Sequence, residues 1–510
     1  MFTDPPTLCR ARRDGGKWEG WGESQANEKT LKGSNTMKKI TAIAALAAAL
    51  LFPAIAAAQD EDENQLFQDT NSVVATSNVV SSGVLSNAEG NALTFSGSLM
   101  SRTTYSMNKN WVTGTAADWS SNSLNSYLDG IFELDARLQK NLKAFVSVDL
   151  SYYPMGQSQV QLTTPNTLSI NPTNLNAVTT NSLYFLTTNS TVFTLKEMFV
   201  DLNIEKAVFF KIGKQVLQWG TTYFFTPNDL INVDHKTFAD LNRVLNGTYG
   251  LKMQIPFGTT ANLYGWIDGN DAITNLGDSA IAGKAEALLF GWEFSLSGWA
   301  KQGELPVYGF DFSGRIPWFN IDLYGEASMS YGQNAPIYYF TNKVSPILGT
   351  YNWLGTNYLT NTWIPKVVIG FTKTFEVLNI ADRLSVTGEF YYNYSGYSNN
   401  MFQKATNLIT NPLLQELDIA QLYSPNNYGQ FYFALFTSFG EFINQDTTIS
   451  LNALGNLSDM TFATTLDLSY NAVDRFTIDG NVTGYYGKGI GEYTYAGTAI
   501  AAQVNATVSF

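Results

Sequence analysis

The chain has 510 residues, 45% of them hydrophobic and only 14% charged, and its 43 acidic side chains outnumber 30 basic ones for a net charge of −13. An acidic balance of this size argues against nucleic acid as a partner. One cysteine, Cys9, and one histidine, His235, leave no disulfide, no Cys/His metal site and no second imidazole to complete a catalytic set.

A leader precedes the part of the chain that is expected to fold. Met37-Lys38-Lys39, the apolar run Ile40–Ile55 and the small residues Ala56-Ala57-Ala58 form the three regions of a secretory signal peptide, so 37–58 is expected to be removed after Ala58. The run is too short and Ala-rich for a membrane-spanning helix, and acidic Asp60–Glu63 follow where a stop-transfer cluster would be basic. Residues 1–36, polar and aperiodic, are expected to be a non-native or wrongly extended start. Because 1–58 hold eight Lys/Arg and five Asp/Glu, their removal deepens the acidic excess and discards Cys9. Residues 59–92, acidic and then rich in Ser, Asn and Val, read as a periplasmic N-terminal segment or a small plug. Beyond them no linker-like shift interrupts the chain, and 93–510 reads as one domain.

From Leu93 apolar and polar residues alternate in about eighteen segments of roughly ten residues, the length a tilted strand needs to cross a bilayer. Leu142–Tyr152, Phe319–Tyr331, Leu384–Tyr394, Phe462–Tyr470 and Phe476–Tyr486 are clear examples. The connections alternate as well. Gln139–Asn141, Glu205-Lys206, Phe257–Thr260, Phe290-Gly291, Pro317-Trp318 and Asn471–Asp474 are short. Those at 108–126, 154–191, 218–246, 332–362 and 395–428 are long, with shorter exceptions near Gly303, near Ser458 and at 269–280. A barrel with short periplasmic turns and long extracellular loops requires this odd-even order, and an even strand count puts both barrel ends on the periplasmic side. No stretch after Ala58 holds about 18 uninterrupted apolar residues, and a closed barrel is the other structure that satisfies every backbone group in lipid. The expected fold is an all-β, transmembrane, antiparallel up-and-down barrel of about eighteen strands, with sixteen to eighteen compatible with the pattern.

One strand face is then set against lipid: Val146, Val148, Leu150, Ile321, Leu323, Val367, Ile369, Phe371, Phe431, Phe433, Leu435, Ile449 and Leu451. Phe257, Trp292, Trp318, Phe375, Phe439, Phe476 and Phe510 fall where strands meet the short turns, and Tyr152, Tyr331, Tyr394 and Tyr486 where they meet the long loops, as two interfacial girdles would. The opposite faces carry Asp129, Glu133, Asp135, Asp149, Glu197, Asp201, Asp322, Glu326 and Glu389, with Glu293, Asp311, Asp467 and Asp479. Against them stand Arg137, Lys143 and Lys211, with Arg102, Lys252, Arg315 and Lys366. Charges inside a lipid-facing sheet require a wet or internally paired lumen, and the acidic surplus is expected to favour cations weakly.

The sharpest local signal is a hairpin. Glu197 and Asp201 in an E-x-x-x-D pattern lead into Gly213-Lys214-Gln215-Val216-Leu217-Gln218-Trp219-Gly220 and then Pro227-Asn228-Asp229. Over about 35 residues this resembles a hairpin found in several families of bacterial outer-membrane porins and porin-like proteins. The resemblance implies that Gly213 and Gly220 let backbone or loop approach the wall, while Gln215 and Trp219 orient the chain as it leaves the strand. Lys214 is expected to face lipid near the strand's outer end, where its stem can snorkel. In many porins the third loop folds inward and narrows the channel. By the same resemblance Asp229, Asp234, His235, Lys236, Asp240 and Arg243 of loop 218–246 are the constriction or selectivity residues. Pro227-Asn228-Asp229 is expected to cap a turn, and Phe238–Leu245 to form a short helix.

In Gly497–Phe510 the residues Ala502, Val504, Ala506, Val508 and Phe510 share one strand face, and Gln503, Asn505, Thr507 and Ser509 the other. A final aromatic in phase with the apolar face resembles the closing strand of outer-membrane barrels, which implies that Phe510 is the membrane-insertion signal read by the barrel-assembly machinery. The resemblance as a whole implies a porin of a Gram-negative-type outer membrane, passing small hydrophilic solutes by diffusion. Two other classes fit the same pattern. One is a substrate-selective channel for hydrophobic or aromatic compounds, using Phe145, Phe199, Trp299, Tyr324, Tyr391 and Tyr432. The other is a surface adhesin or structural protein using the long loops. Outer-membrane lipid, the assembly machinery and small solutes are the expected partners, and a homotrimer is an expectation of the family alone. No catalytic residue, metal or other cofactor is expected.

Overall fold

Alternation from Leu93 onward becomes strand after strand, each paired with its neighbour. The computed structural model of the chain describes residues 93–510 apart from 110–121, 140, 155–156, 161–184, 189–190, 218, 230, 232–235, 239–240, 242–243, 270–278, 346–348 and 409–421. The expectations for residues 1–92 lie outside the described residues. The first half of the wall is β1 (Leu93–Asn108), β2 (Asn122–Gln139), β3 (Leu142–Tyr152), β6 (Thr191–Ile204), β7 (Val208–Gln215), β8 (Thr248–Phe257), β9 (Ala261–Asp268), β10 (Ala280–Leu289) and β11 (Trp292–Lys301). The second half is β12 (Val307–Ile316), β13 (Ile321–Tyr331), β16 (Trp363–Val377), β17 (Ile380–Asn393), β18 (Phe431–Gly440), β19 (Thr447–Asn456), β20 (Thr461–Val473), β21 (Phe476–Gly487) and β22 (Thr498–Ser509). Among the described residues four further strands form hairpins inside two long loops: β4 (Gln157–Val160) with β5 (Phe185–Thr188), and β14 (Ile337–Ser345) with β15 (Gly349–Asn357).

Every wall strand runs antiparallel to the next, and β22 returns to β1 with Ser98 opposite Ser509 and Met107 opposite Ile500. The sheet therefore closes at eighteen strands, in agreement with the alternation count. Closure removes every sheet edge, which is what a β-structure needs where no water is present to take up backbone hydrogen bonds. On one rim the connections are tight. Leu289 pairs with Trp292 and Val377 with Ile380, leaving Phe290 (φ 56°) with Gly291 (φ 79°) and Leu378 (φ 56°) with Asn379 (φ 62°) in the left-handed region, as type I′ turns require. The other rim carries the long connections, among them 153–190, 216–247, 332–362 and 394–430.

The faces separate as the period-2 pattern predicts. Leu150, Ile369, Phe371, Phe431, Leu435 and Leu451 are exposed on the outside of the barrel, part of a continuous apolar belt that water would not stabilise. Phe290, Trp318, Phe319 and Leu378 stand clear of the protein at the short-turn rim, and Tyr152, Tyr331, Tyr394 and Tyr486 are exposed at the other. At the seam Phe510 donates its N–H to the Gly97 carbonyl (2.9 Å) and accepts the Gly97 N–H (3.1 Å), with its ring 5.6 Å from Phe95 and 6.2 Å from Phe132. A Cβ on Gly97 would lie 2.3 Å from the Ile131 carbonyl oxygen and 2.9 Å from the Phe510 ring. Gly97→Val is therefore expected to cost roughly 1–3 kcal/mol and to lower the yield of heat-resistant barrel folded into lipid vesicles. An unchanged band shift on unheated gels would contradict this account of the seam.

Candidate functional site

The third long loop turns inward because the ladder that would have carried it straight on is cut short. The long loop is expected to begin at 218, and pairing of β7 already ends at Gln215. Gly213 sits at φ 131°, with a hypothetical Cβ only 2.2 Å from the Met198 carbonyl oxygen. Directly after Gln215 the Glu197 carboxylate takes the Val216 N–H (2.8 Å) in place of a strand partner. Gln215 is buried and its amide donates to the Lys211 carbonyl (3.1 Å). Lys214 lies outward, its ammonium 2.5 Å from the Leu195 carbonyl and 5.4 Å from the Tyr249 ring centre.

Past Val216 the described residues of the loop are fastened at three places along the inner wall. The first is apolar: Leu217, Trp219, Ile231 and Trp266 form one buried cluster, with Tyr264, Ala282 and Trp299 against it. There the Lys284 ammonium donates to the Trp219 carbonyl (3.0 Å) and is neutralised by Glu286 (3.2 Å) and Asp311 (3.8 Å). The second is Glu326 of β13. Its carboxylate lies 2.7 Å from the Thr222 hydroxyl and accepts the Asn228 N–H (2.6 Å). Gly220 makes this approach possible, since its Cβ would fall 2.1 Å from Glu326 Oε2. The third is Glu389 of β17, whose carboxylate accepts the successive N–H groups of Tyr223, Phe224 (3.1 Å) and Phe225 (3.0 Å) and the Tyr324 hydroxyl (3.2 Å). Three consecutive N–H groups aimed at one anion form a backbone nest. Around it Phe224 and Phe225 pack with Val368, Tyr391, Tyr432, Ala434, Phe436 and Leu454. Phe225 stacks on Tyr391 at 5.1 Å, and Tyr223 meets Phe436 edge-on at 4.8 Å.

Of the six loop residues expected to set selectivity, Asp234, His235, Asp240 and Arg243 lie outside the described residues. Asp229 closes the Pro227-Asn228-Asp229 turn through an N–H bond to the Thr226 carbonyl (3.1 Å). Lys236 places its ammonium 4.8 Å over the Tyr223 ring and 3.4 Å from the Tyr223 carbonyl. Burial holds that ammonium below its usual pKa, against the pull of the Glu389 charge. The expected helix over Phe238–Leu245 is not formed by the described part of that stretch: Phe238 and Leu241 sit in turns and pack on the Phe224 cluster, which recruits their apolar side chains.

Eleven of the twenty expected lumen charges fall into three groups. Glu326 and Glu389 face inward, but they are 2% and 4% exposed and hold the loop, so they do not present charge to open water. Asp129, Asp149 and Glu133 are held within the wall. Ser151 Oγ lies 2.8 Å from Asp129 and 3.0 Å from Asp149, Lys196 pairs with Asp149 (2.9 Å), and Ser96 donates to Glu133 (3.3 Å). The third group is a row fixed by register: Arg137, Lys143, Asp201, Lys211 and Lys252 stand opposite one another in turn across β2, β3, β6, β7 and β8. Asp135 adds a second carboxylate to it, 3.1 Å from Lys143 and 3.7 Å from Arg137. The row is therefore locally basic in an acidic chain. Lys211 lies 4.4 Å over Phe199, which stacks on Phe145 at 5.1 Å. Nearer the short-turn rim Arg315 and Asp322 form a two-pronged pair at 2.6 and 2.8 Å.

Sequence reading missed Lys284 and Glu286, because β10 is so rich in Ala and Gly that its two faces hardly differ in polarity. It also missed Glu492 and Asp459, both buried, which lie in loops where no period marks a facing residue. Tyr324, Tyr391 and Tyr432 do point inward, but the third loop covers them.

The sequence profile of a family described as "Protein of unknown function (DUF1302)" matches residues 39–259, less than half of the chain. A comparison with curated proteins finds no match. Among solved structures the chain is similar to a BenF-like porin from Pseudomonas fluorescens Pf-5 at 8% identity and a TM-score of 0.47, over 82% of this chain and 98% of that one. It is similar also to Acinetobacter baumannii OccAB1 (11% identity, TM-score 0.45, 82% and 96% covered) and to Pseudomonas aeruginosa OccK9 (OpdG) (11%, 0.46, 82% and 98%). The closed eighteen-stranded barrel stands on its own hydrogen-bond ladder and not on these likenesses.

Proposed function

We propose that the protein is an outer-membrane porin, a passive diffusion channel for small hydrophilic solutes whose aperture is set by the 216–247 loop. The observation that carries this reading is the path of that loop, fastened to the inner wall at Lys284, Glu326 and Glu389. A surface-binding loop has no need of buried carboxylates on the lumen side. The exposed apolar belt and the aromatics at both rims suit a lipid bilayer. Barrels of sixteen to eighteen strands are wide enough to hold an aqueous channel. The 37–58 leader would supply export, and the Phe510 strand the insertion signal.

In this reading Asp229, Asp234, His235, Lys236, Asp240 and Arg243 tune what passes the loop. Selectivity by charge is weak and cationic: the acid excess of the chain attracts cations, while the basic row on β2 to β8 gives anionic groups a local foothold. A dedicated channel for aromatic solutes is disfavoured, because Tyr324, Tyr391 and Tyr432 are already covered by the loop. Swelling of protein-containing liposomes in isotonic sugars tests the reading. Rates are expected to fall steadily from pentose to disaccharide to trisaccharide. Vesicles holding folded protein that swell in a pentose no faster than empty ones would overturn it.

A further inference from the structure

We propose that the 488–497 loop is a second jaw of the constriction, with Tyr493 its contact on the third loop and Glu492 the residue that positions it. The proposal rests on the channel reading above. Tyr493 packs on the cluster that holds Phe224 and Phe225 together with residues of β16 to β19, so two loops far apart in sequence share one packed stretch of wall. Nothing in a simple rim loop requires that contact. The jaw is held from both sides of Tyr493. Its hydroxyl donates to Asn426 Oδ1 (2.9 Å), and the preceding Glu492 is 3% exposed.

Glu492 gathers three other segments around one carboxylate. It accepts the Asn426 N–H (2.5 Å), the Tyr432 hydroxyl (2.8 Å) and the Asn456 amide (2.8 Å), while its own N–H goes to Asp459 Oδ2 (2.7 Å). Tyr432 is the post the two jaws share. Its hydroxyl serves Glu492 and the Gly429 N–H, and its ring lies 5.8 Å from Phe225 and 5.7 Å from Tyr391. Inside the loop Thr494 Oγ1 accepts the Gly491 N–H (2.8 Å), which keeps the jaw compact. Removing the Glu492 carboxylate would leave two buried donors and one half-buried donor without an acceptor and loosen Tyr432 beneath the third loop.

The arrangement also makes a pH readout available. Burial pushes Glu492 up to about 8, and burial raises Asp459 as well. The other titratable groups facing Glu492 are Tyr391, Tyr423, Tyr428, Tyr432 and Tyr493, and burial raises the loop residues Tyr423, Tyr428 and Tyr493 above the usual phenol range. A carboxyl raised in the closed state binds its proton more tightly there than in the open one. Its contribution is thus full below the ordinary carboxyl value of 4.5 and is lost as pH rises through about 8.

Hydrogen exchange of the Thr221–Asp229 segment in the folded protein tests the coupling without relying on conduction. Glu492→Ala and Tyr493→Ala are each expected to speed exchange there by about tenfold or more. Glu492→Gln is expected to keep slower exchange and, in bilayers, to flatten a wild-type conductance that rises between pH 5 and pH 9. Unchanged exchange in both alanine variants overturns the proposal, as does a pH response in Glu492→Gln equal to that of the wild type, which decides the matter if the alanine variants fail to fold. Wild-type protein that is silent in bilayers while the variants still speed exchange sinks the channel reading and leaves the coupling between loops standing.

Discussion

Glu389→Ala is expected to detach the middle of the third loop and widen the channel. The substitution removes the acceptor of three consecutive N–H groups, those of Tyr223, Phe224 and Phe225, together with that of the Tyr324 hydroxyl. A buried donor left without a partner costs about 1–3 kcal/mol. Lumen water will satisfy some of these groups once the loop lifts, and that is the reason the loop lifts. The barrel ladder is untouched, since β17 keeps its backbone pairs with β16 and β18 on either side of residue 389. Polymer exclusion in planar bilayers should show passage of larger polyethylene glycols and a higher unitary conductance. Glu389→Gln retains an acceptor oxygen and should fall between the two. Conductance and exclusion limit unchanged in Glu389→Ala would mean that the loop does not depend on this carboxylate.

Trp219→Ala is expected to have the largest effect on stability. Trp219 is 6% exposed and anchors the start of the loop against Leu217, Ile231 and Trp266. Truncating a buried Trp costs roughly 3–5 kcal/mol, part of it for the cavity left behind. Lys284 still reaches the carbonyl of residue 219, but with the apolar anchor gone the loop is expected to become mobile at its base while the barrel remains closed. Protease sensitivity confined to 216–247, with the heat-shifted gel band retained, is the expected signature. Trp219→Phe should be much milder, because the indole N–H has no acceptor among the described residues and only ring volume is lost. An alanine variant as protease-resistant as the wild type would contradict the anchoring role.

The barrel was legible because two independent periods ran through the sequence, alternation within strands and alternation between connections. Val146 to Leu150 and Val367 to Phe371 show the first plainly, since lipid outside and charge inside force the two faces apart. The site was legible only as far as a strand reached it. Glu326 and Glu389 are in phase with the inner face and were placed there, but their task of holding a loop depends on contacts 98 or more residues away in sequence, which no local pattern encodes. β7 ends at Gln215, slightly short of the loop start expected at 218, for a related reason: a side chain from β6, Glu197, takes over the hydrogen bond that a strand partner would have made. Glu492 and Tyr493 lie in a loop, where neither period applies.

The most direct test of the central claim is single-channel recording of the folded wild-type protein in a planar bilayer under a KCl gradient. The account predicts stepwise open currents with a small reversal potential of cationic sign, from a pore narrowed by the third loop. Silence from protein that is demonstrably folded and inserted would contradict it.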